Sequence, residues 1–446
     1  MARPKARGSV RVSALVSLVL SCTVIGVTLA ESTGKTRIDY VAKLNELITR
    51  GQDESLNAEP FYRRAFGLCV ALPNSLSAIK VLCWPTDLNA EERVAMRDWI
   101  HVNSEALAQL QLGSRRPGYW FQYQGLSTWD IDQAGYIRRT REVFYPLMWR
   151  AKMKAAEGDV KGAIEDVLLC YRFGADTRKR PLLGEQLSGR LVLEGTFTTA
   201  FQVLDKVKVD GALLQFFQQQ MERRAQDQDF LVDLQGDELA TLDSIQWVVN
   251  GIGTVAKSKA ERDEILSKAW DFWGEYIPPA QMDSVTYNRS QEELERLARK
   301  GYVYYRSIMS KTPLEWERER VDWYKAKKEF VGRNLLLFTL VPAVPHMAEA
   351  GFRLRARRDA LITTLGLLRY ENDKSVFPDD LDVLVSAGYV RQLPMDPYSD
   401  KPLIYKRMDQ GFTLYSVGPD FEDDGGRHNT WGRNGQPGDQ VFWPVQ

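Results

Sequence analysis

The chain has 446 residues, long enough for two or three domains, and carries 59 Lys plus Arg against 59 Asp plus Glu. That balance gives no electrostatic reason for a nucleic-acid partner, and 44% hydrophobic with 11% aromatic residues excludes a disordered polypeptide. Only three histidines occur, His101, His346 and His428, too far apart to form a zinc site or a triad by local spacing.

Residues 1–11, MARPKARGSVR, hold four basic residues and no acid, and residues 12–30, VSALVSLVLSCTVIGVTLA, hold no charge. Nineteen residues at a rise of about 1.5 Å approach the roughly 30 Å apolar thickness of a bilayer. Residues 1–31 are therefore expected to be a signal anchor or a signal peptide. Thr28 and Ala30 offer the small residues of a cleavage site, whereas the length suits a retained helix. The basic flank stays cytoplasmic, which places a single-pass protein in the inner membrane with its bulk in the periplasm. In that compartment Cys69 and Cys83 have the alternatives of a disulfide or of burial as free thiols, like Cys170.

Residues 32–332 read as an all-helical domain. Ile38, Val41, Leu44, Leu47 and Ile48 fall at helical spacing over 38–50. A loop over 51–60 leads to a short amphipathic run, FYRRAFGLCVAL. Asn89 is an N-cap followed by acids, and the pattern it opens runs as one helix to Gly113.

Over 143–176 the pattern gives a helix, a tight turn at 157–159 and a second helix with Ala163, Ile164, Val167, Leu168 and Tyr171 inward. The motif AxxGDxxxAIxD from Ala155 resembles a tetratricopeptide hairpin, in which Ala156 and Ala163 let the helices approach. No second copy at that period is visible. The expected architecture is thus mainly α, a helical bundle or irregular tetratricopeptide-like solenoid. Helices follow at 182–206, 213–226, 290–310 and 313–330, the last two rich in charge. Tyr304 with Tyr305, and Trp316 with Trp323, read as core or interface anchors rather than a ligand-stacking surface.

The texture changes over 333–446. An apolar run broken by Pro342 and Pro345 leads into an amphipathic helix ending near Asn372, then short β runs, PLIYK and GFTLYSV, between Pro and Gly turns. A small C-terminal α+β domain is expected. Its loop, LYSVGPDFEDDGG, places Asp420, Glu422, Asp423 and Asp424 within five residues. Such a cluster is either an acidic turn bonded to its own amides or a cation site.

The order of long helix, YENDKSVFPDDLDVLVSAGYV, LPMDPYSDKPLIYK and GFTLYSVGPDFEDDGG resembles the periplasmic domain of the major pseudopilin of type II secretion systems. The likeness covers about the last ninety residues. Phe377 stands where that family has Tyr, and four residues, not three, separate Pro397 from Pro402. The resemblance implies a calcium-binding loop in which Val417 offers a carbonyl and Asp420, Asp424 and Asp439 offer carboxylates. A longer insertion than the family's lies between Asp424 and Asp439.

True pseudopilins carry Glu at the fifth position of a processed apolar helix, whereas this chain has Arg11 and no glutamate in the run. The tail is a reused domain, and the resemblance does not carry filament assembly with it. The whole layout is also similar to uncharacterised membrane-anchored planctomycete-type proteins, a likeness that implies no activity. The expected function is a membrane-anchored interaction or structural protein of the cell envelope. It has a protein partner, no nucleic acid and no identified small-molecule substrate. The alternatives are a subunit or assembly factor of a type II secretion-like system, and an envelope hydrolase using carboxylates such as Asp423 and Asp424. No GxSxG, HExxH, P-loop or GxGxxG string is present, so a non-enzyme is expected.

Overall fold

The computed structural model describes residues 38–48, 53–76, 83–224, 230–255, 290–323, 344–429 and 438–445, with a few single positions between them. The apolar run at 12–30 and the expected boundary at 332–333 lie outside these. Among the described residues no helix is long and apolar enough to cross a membrane. The chain is mainly helical with a small C-terminal sheet region.

Helix α1, Tyr40–Glu46, starts where Asp39 accepts the amide of Ala42 and is shorter than the periodicity predicts. Helix α2 is Glu59–Leu68. Asn89 caps α3, Ala90–Val102, through a reciprocal capping box with Glu92. The single helix expected up to Gly113 is instead two. Asn103 breaks it before α4, Ser104–Ser114, because its side chain is committed elsewhere. Its Oδ1 accepts from Val70 N at 2.8 Å, and its Nδ2 donates to Val70 O at 3.1 Å and Trp99 O at 2.9 Å.

Helices α5, Gln133–Ala156, and α6, Val160–Thr177, form the expected hairpin. Gly158, at φ +91°, reverses the chain, and Asp159 then caps α6 by accepting from Gly162 N at 2.9 Å. The small residues at the close approach are Ala151, Ala155 and Ala163, all buried. Ala156, expected in that role, faces solvent, since it lies one residue past the buried stripe. Helix α7, Leu183–Lys206, packs on both arms of the hairpin. Helices α8, Gly211–Arg224, and α9, Gln235–Val255, follow.

Helix α10, Gln291–Met309, is capped by Ser290, and α11 spans only Pro313–Arg318. Arg320, at φ 50°, ends α11. The amide of Val321 reaches back to Trp316 O at 2.9 Å and that of Arg320 to Glu317 O at 3.1 Å. This is the glycine-type helix stop built on an arginine. The resulting reversal sets Trp316 edge to face against Trp323, ring centroids 4.7 Å apart. Tyr304 and Tyr305 belong to the same apolar cluster.

Helix α12, Pro345–Lys374, thirty residues long, extends about 45 Å. Its first turns, with Ala348 and Phe352, join the cluster of α9, α10 and α11, and its later turns, from Leu354 to Leu367, enter a second cluster. That second cluster holds Ile164, Val167, Phe197, Phe201 and Phe217 together with Leu384 of the short helix α13, Asp382–Ser386. It continues into Phe412, Leu414 and Phe442 of the sheet.

The sheet region has an antiparallel pair, β1, Met395–Asp396, with β2, Lys401–Pro402. Three antiparallel strands follow, β3, Ile404–Arg407, β4, Phe412–Ser416, and β5, Gln440–Trp443, in the order β3-β4-β5. Tyr405 pairs with Leu414 and Tyr415 with Val441, with a bulge between Leu414 and Tyr415. One continuous apolar core thus runs from the helical hairpin into the strands.

Candidate functional site

The acidic loop leaves the buried end of β4. Val417, buried, precedes a single 3-10 turn, Gly418–Asp420, and Phe421 at φ 63° turns the chain back. The returning chain bridges His428 to Asp439 just before β5. Gly418 lies against Gly438 O and Gln440 N, where an added Cβ would come within 3.4 and 3.6 Å. The loop is therefore folded onto residues 438–440 rather than projecting from the sheet.

Each expected ligand has a defined setting. Asp420 accepts from Glu422 N at 3.3 Å through Oδ1 and from Gly438 N at 2.7 Å through Oδ2. Asp439, fully buried, accepts from Asp424 N at 3.2 Å and Gly426 N at 2.6 Å. Its backbone also exchanges bonds with Arg427 O and Asn429 N, both at 2.8 Å. Asp424 Oδ1 takes Arg427 Nη2 at 2.5 Å, while its Oδ2 is buried with no donor among the described residues. The loop thus joins Asp424 to Asp439 directly and ties Asp420 to the residue before Asp439. Val417 is the N-cap residue of the 418–420 turn, and residues 430–437 of the insertion lie outside the described residues.

The electrostatics differ from one acid to the next. Burial pushes the Asp439 carboxyl up, and the charges of Asp423 and Asp424 push it further, while the loop amides oppose both. Asp423 shows the opposite balance. Burial raises it, but the Gly425 amide and the Tyr415 hydroxyl hold it below the usual carboxylate range. Tyr415 Oη donates to Asp423 Oδ1 at 2.8 Å, and Gly425 N donates to the same oxygen at 2.9 Å. Asp423 and Asp424, the pair considered for acid and base chemistry, are each engaged by a different partner.

Two residues of this site were not singled out from sequence. Asp396, buried at the end of β1, accepts Ser416 Oγ at 2.9 Å, Tyr398 N at 3.2 Å and Ser399 Oγ at 3.3 Å. Ser416 in turn accepts Gly418 N at 3.1 Å, so a short relay fixes the loop's first turn to the β1–β2 corner. Burial pushes Asp396 up to about 6. The Asp-Pro pair signals a turn, and nothing local reports that its carboxylate serves a loop twenty residues on.

The helical body buries its own polar constellation. The Arg180 guanidinium lies 3.6 Å from the Phe121 ring centroid and 4.1 Å from that of Tyr136, and its Nε is 2.9 Å from Glu185 Oε1. Tyr123 donates to the other oxygen of Glu185. These contacts lock segment 119–123 onto α7. Cys69, Cys83 and Cys170 are free thiols, the first two half-buried and the third buried. The Cys69 thiol points at Glu142 O, 3.3 Å away, and burial pushes it up to about 12.

No protein-family model, curated protein or solved structure matches this chain. Chemically, a buried carboxylate oxygen with no donor among the described residues, near a second carboxyl raised chiefly by its own burial, is a setting that a hard cation relieves.

Proposed function

We propose that this chain is a membrane-anchored structural or interaction protein of the cell envelope, with a pseudopilin-like C-terminal unit stabilised by calcium. Residues 12–30 hold it in the inner membrane as a single pass, with the bulk in the periplasm, where it meets a protein partner. The α5–α6 hairpin is read as a tetratricopeptide-like unit within an irregular helical body. The observation that carries the calcium reading is Asp424 Oδ2, buried with no donor among the described residues in a loop bonded directly to Asp439.

Among the described residues no three His, Cys, Asp or Glu side chains converge to enclose an ion. Calcium, which takes about six to eight oxygens, would therefore complete its shell with backbone carbonyls such as that of Val417 and with water. Its role would be to neutralise the loop and hold the turn at 418–420 against 438–440. The unbroken core between hairpin and strands supports a structural role, because it fixes the loop on a rigid body instead of a tether.

Thermal unfolding of the full chain, in calcium and after chelation, tests this reading. Calcium should raise the melting temperature by several degrees, and magnesium, smaller and demanding stricter octahedral geometry, should do less. An unchanged transition in millimolar calcium would reduce the loop to an acidic turn satisfied by its own amides.

A further inference from the structure

Three large apolar side chains stand in water on one side of α9. Ile38 is 38% exposed, Leu126 66% and Trp129 42%. The segments that carry them are held there by polar bonds to Asp243, Ser244 and Gln246 of that helix. Ser127 Oγ, Thr128 N and Thr128 Oγ1 all donate to the buried Asp243, at 2.7, 2.7 and 2.9 Å. Trp129 Nε1 donates to Ser244 Oγ at 2.9 Å, and the backbone of Ile38 exchanges two bonds with the side chain of Gln246, at 2.9 and 3.0 Å. Asp130 closes the 126–130 turn by accepting the amides of Leu126 and Ser127 at 2.8 and 3.0 Å. A loose loop would fold such side chains inward or let them wander, whereas this one is pinned with its leucine and indole outward.

The place of this face along the chain puts it within reach of the apolar run at 12–30. Residues 31–37, seven in number, separate the end of the apolar run from Ile38. At roughly 3.3–3.6 Å per residue they reach at most about 25 Å. We infer that Leu126, Trp129 and Ile38 form a membrane-contact face that rests in the headgroup layer of the bilayer into which residues 12–30 insert. This rests on the anchor reading above and adds to it an orientation for the body. A half-exposed indole with its N–H already bonded suits that layer, where an apolar ring meets polar surroundings. The neighbouring Asp130 and Asp132 make the contact apolar rather than electrostatic, so salt should not release it.

The test uses the full chain reconstituted in phosphatidylcholine vesicles with bromine on the acyl chains near the headgroup, which quenches nearby tryptophan emission. Wild type should be quenched. Trp129→Phe should lose at least half of that quenching, and Leu126→Asp should lower it with the helical circular dichroism unchanged. Flotation after an alkaline carbonate wash reads the anchor separately. A chain that floats but is quenched equally with and without Trp129 overturns the membrane-contact face and leaves the anchor standing. A chain that does not float overturns both. Loss of a dimer in Leu126→Asp, without any Trp129-dependent quenching, would assign the face to a second copy and also overturn the proposal.

Discussion

Phe201 of α7 stacks on Phe442 of β5, with ring centroids 6.3 Å apart and planes 17° from parallel. One ring belongs to the helical body and the other to the last strand, and both lie in the same apolar cluster. Strands and helices therefore share a core, and neither can lose its structure without exposing the other.

Phe442→Ala should cost about 3–5 kcal/mol, as expected for emptying a buried phenylalanine site. Because the core is continuous, urea unfolding followed by far-ultraviolet circular dichroism and by tryptophan emission should give coincident transitions that shift together. Separate transitions, with only one moved by the substitution, would show that the sheet region folds apart from the hairpin.

Asn103→Ala should cost about 1 kcal/mol, because it removes the acceptor of the part-buried Val70 amide. Val70 O keeps a donor in Trp99 Nε1 at 2.9 Å, which bounds the loss. Denaturant midpoints check the figure. A neutral or stabilising result, as a good helix former joining α3 to α4 would give, contradicts the role assigned to Asn103.

Asp237, in the first turn of α9, accepts Leu183 N at 2.5 Å and is pushed up to about 8 by burial, against the effect of that bond. The folded state then holds a proton that the unfolded state releases near pH 4. Stability from this group is retained at low pH and falls as pH rises from about 4 to about 8. Asp396, raised to about 6, adds the same sign between about pH 4 and 6. Asp237→Asn should flatten the profile and gain on wild type at pH 8. A wild-type profile that rises with pH over this window, unaffected by the substitution, would contradict it.

The sequence made the α5–α6 hairpin legible because its signals are local, an apolar stripe of helical period, a glycine stop at 158 and an aspartate cap at 159. The break at Asn103 was hidden because its cause lies at Val70, thirty-three residues away. The end of α11 was hidden because Arg320 takes the left-handed position where a glycine would have announced it. Strand β5 is four residues long and lies beyond the insertion, so no alternation marks it. At the loop, the acids were visible and their division of labour was not. Which carboxylate clasps an amide, which pairs with Arg427 and which keeps a bare oxygen depends on residues 438–440 folding back.

Calorimetric titration of the full chain with calcium, in wild type and Asp424→Asn, separates a calcium-stabilised loop from a plain acidic turn. Asp424→Asn keeps the backbone amide that bonds Asp439 and removes only the charge and the second carboxylate oxygen. One calcium per chain in wild type, with affinity at least tenfold weaker in Asp424→Asn, is the predicted result. No calcium-dependent heat in wild type, or equal binding in the two proteins, would contradict a calcium-stabilised loop at Asp424 and Asp439.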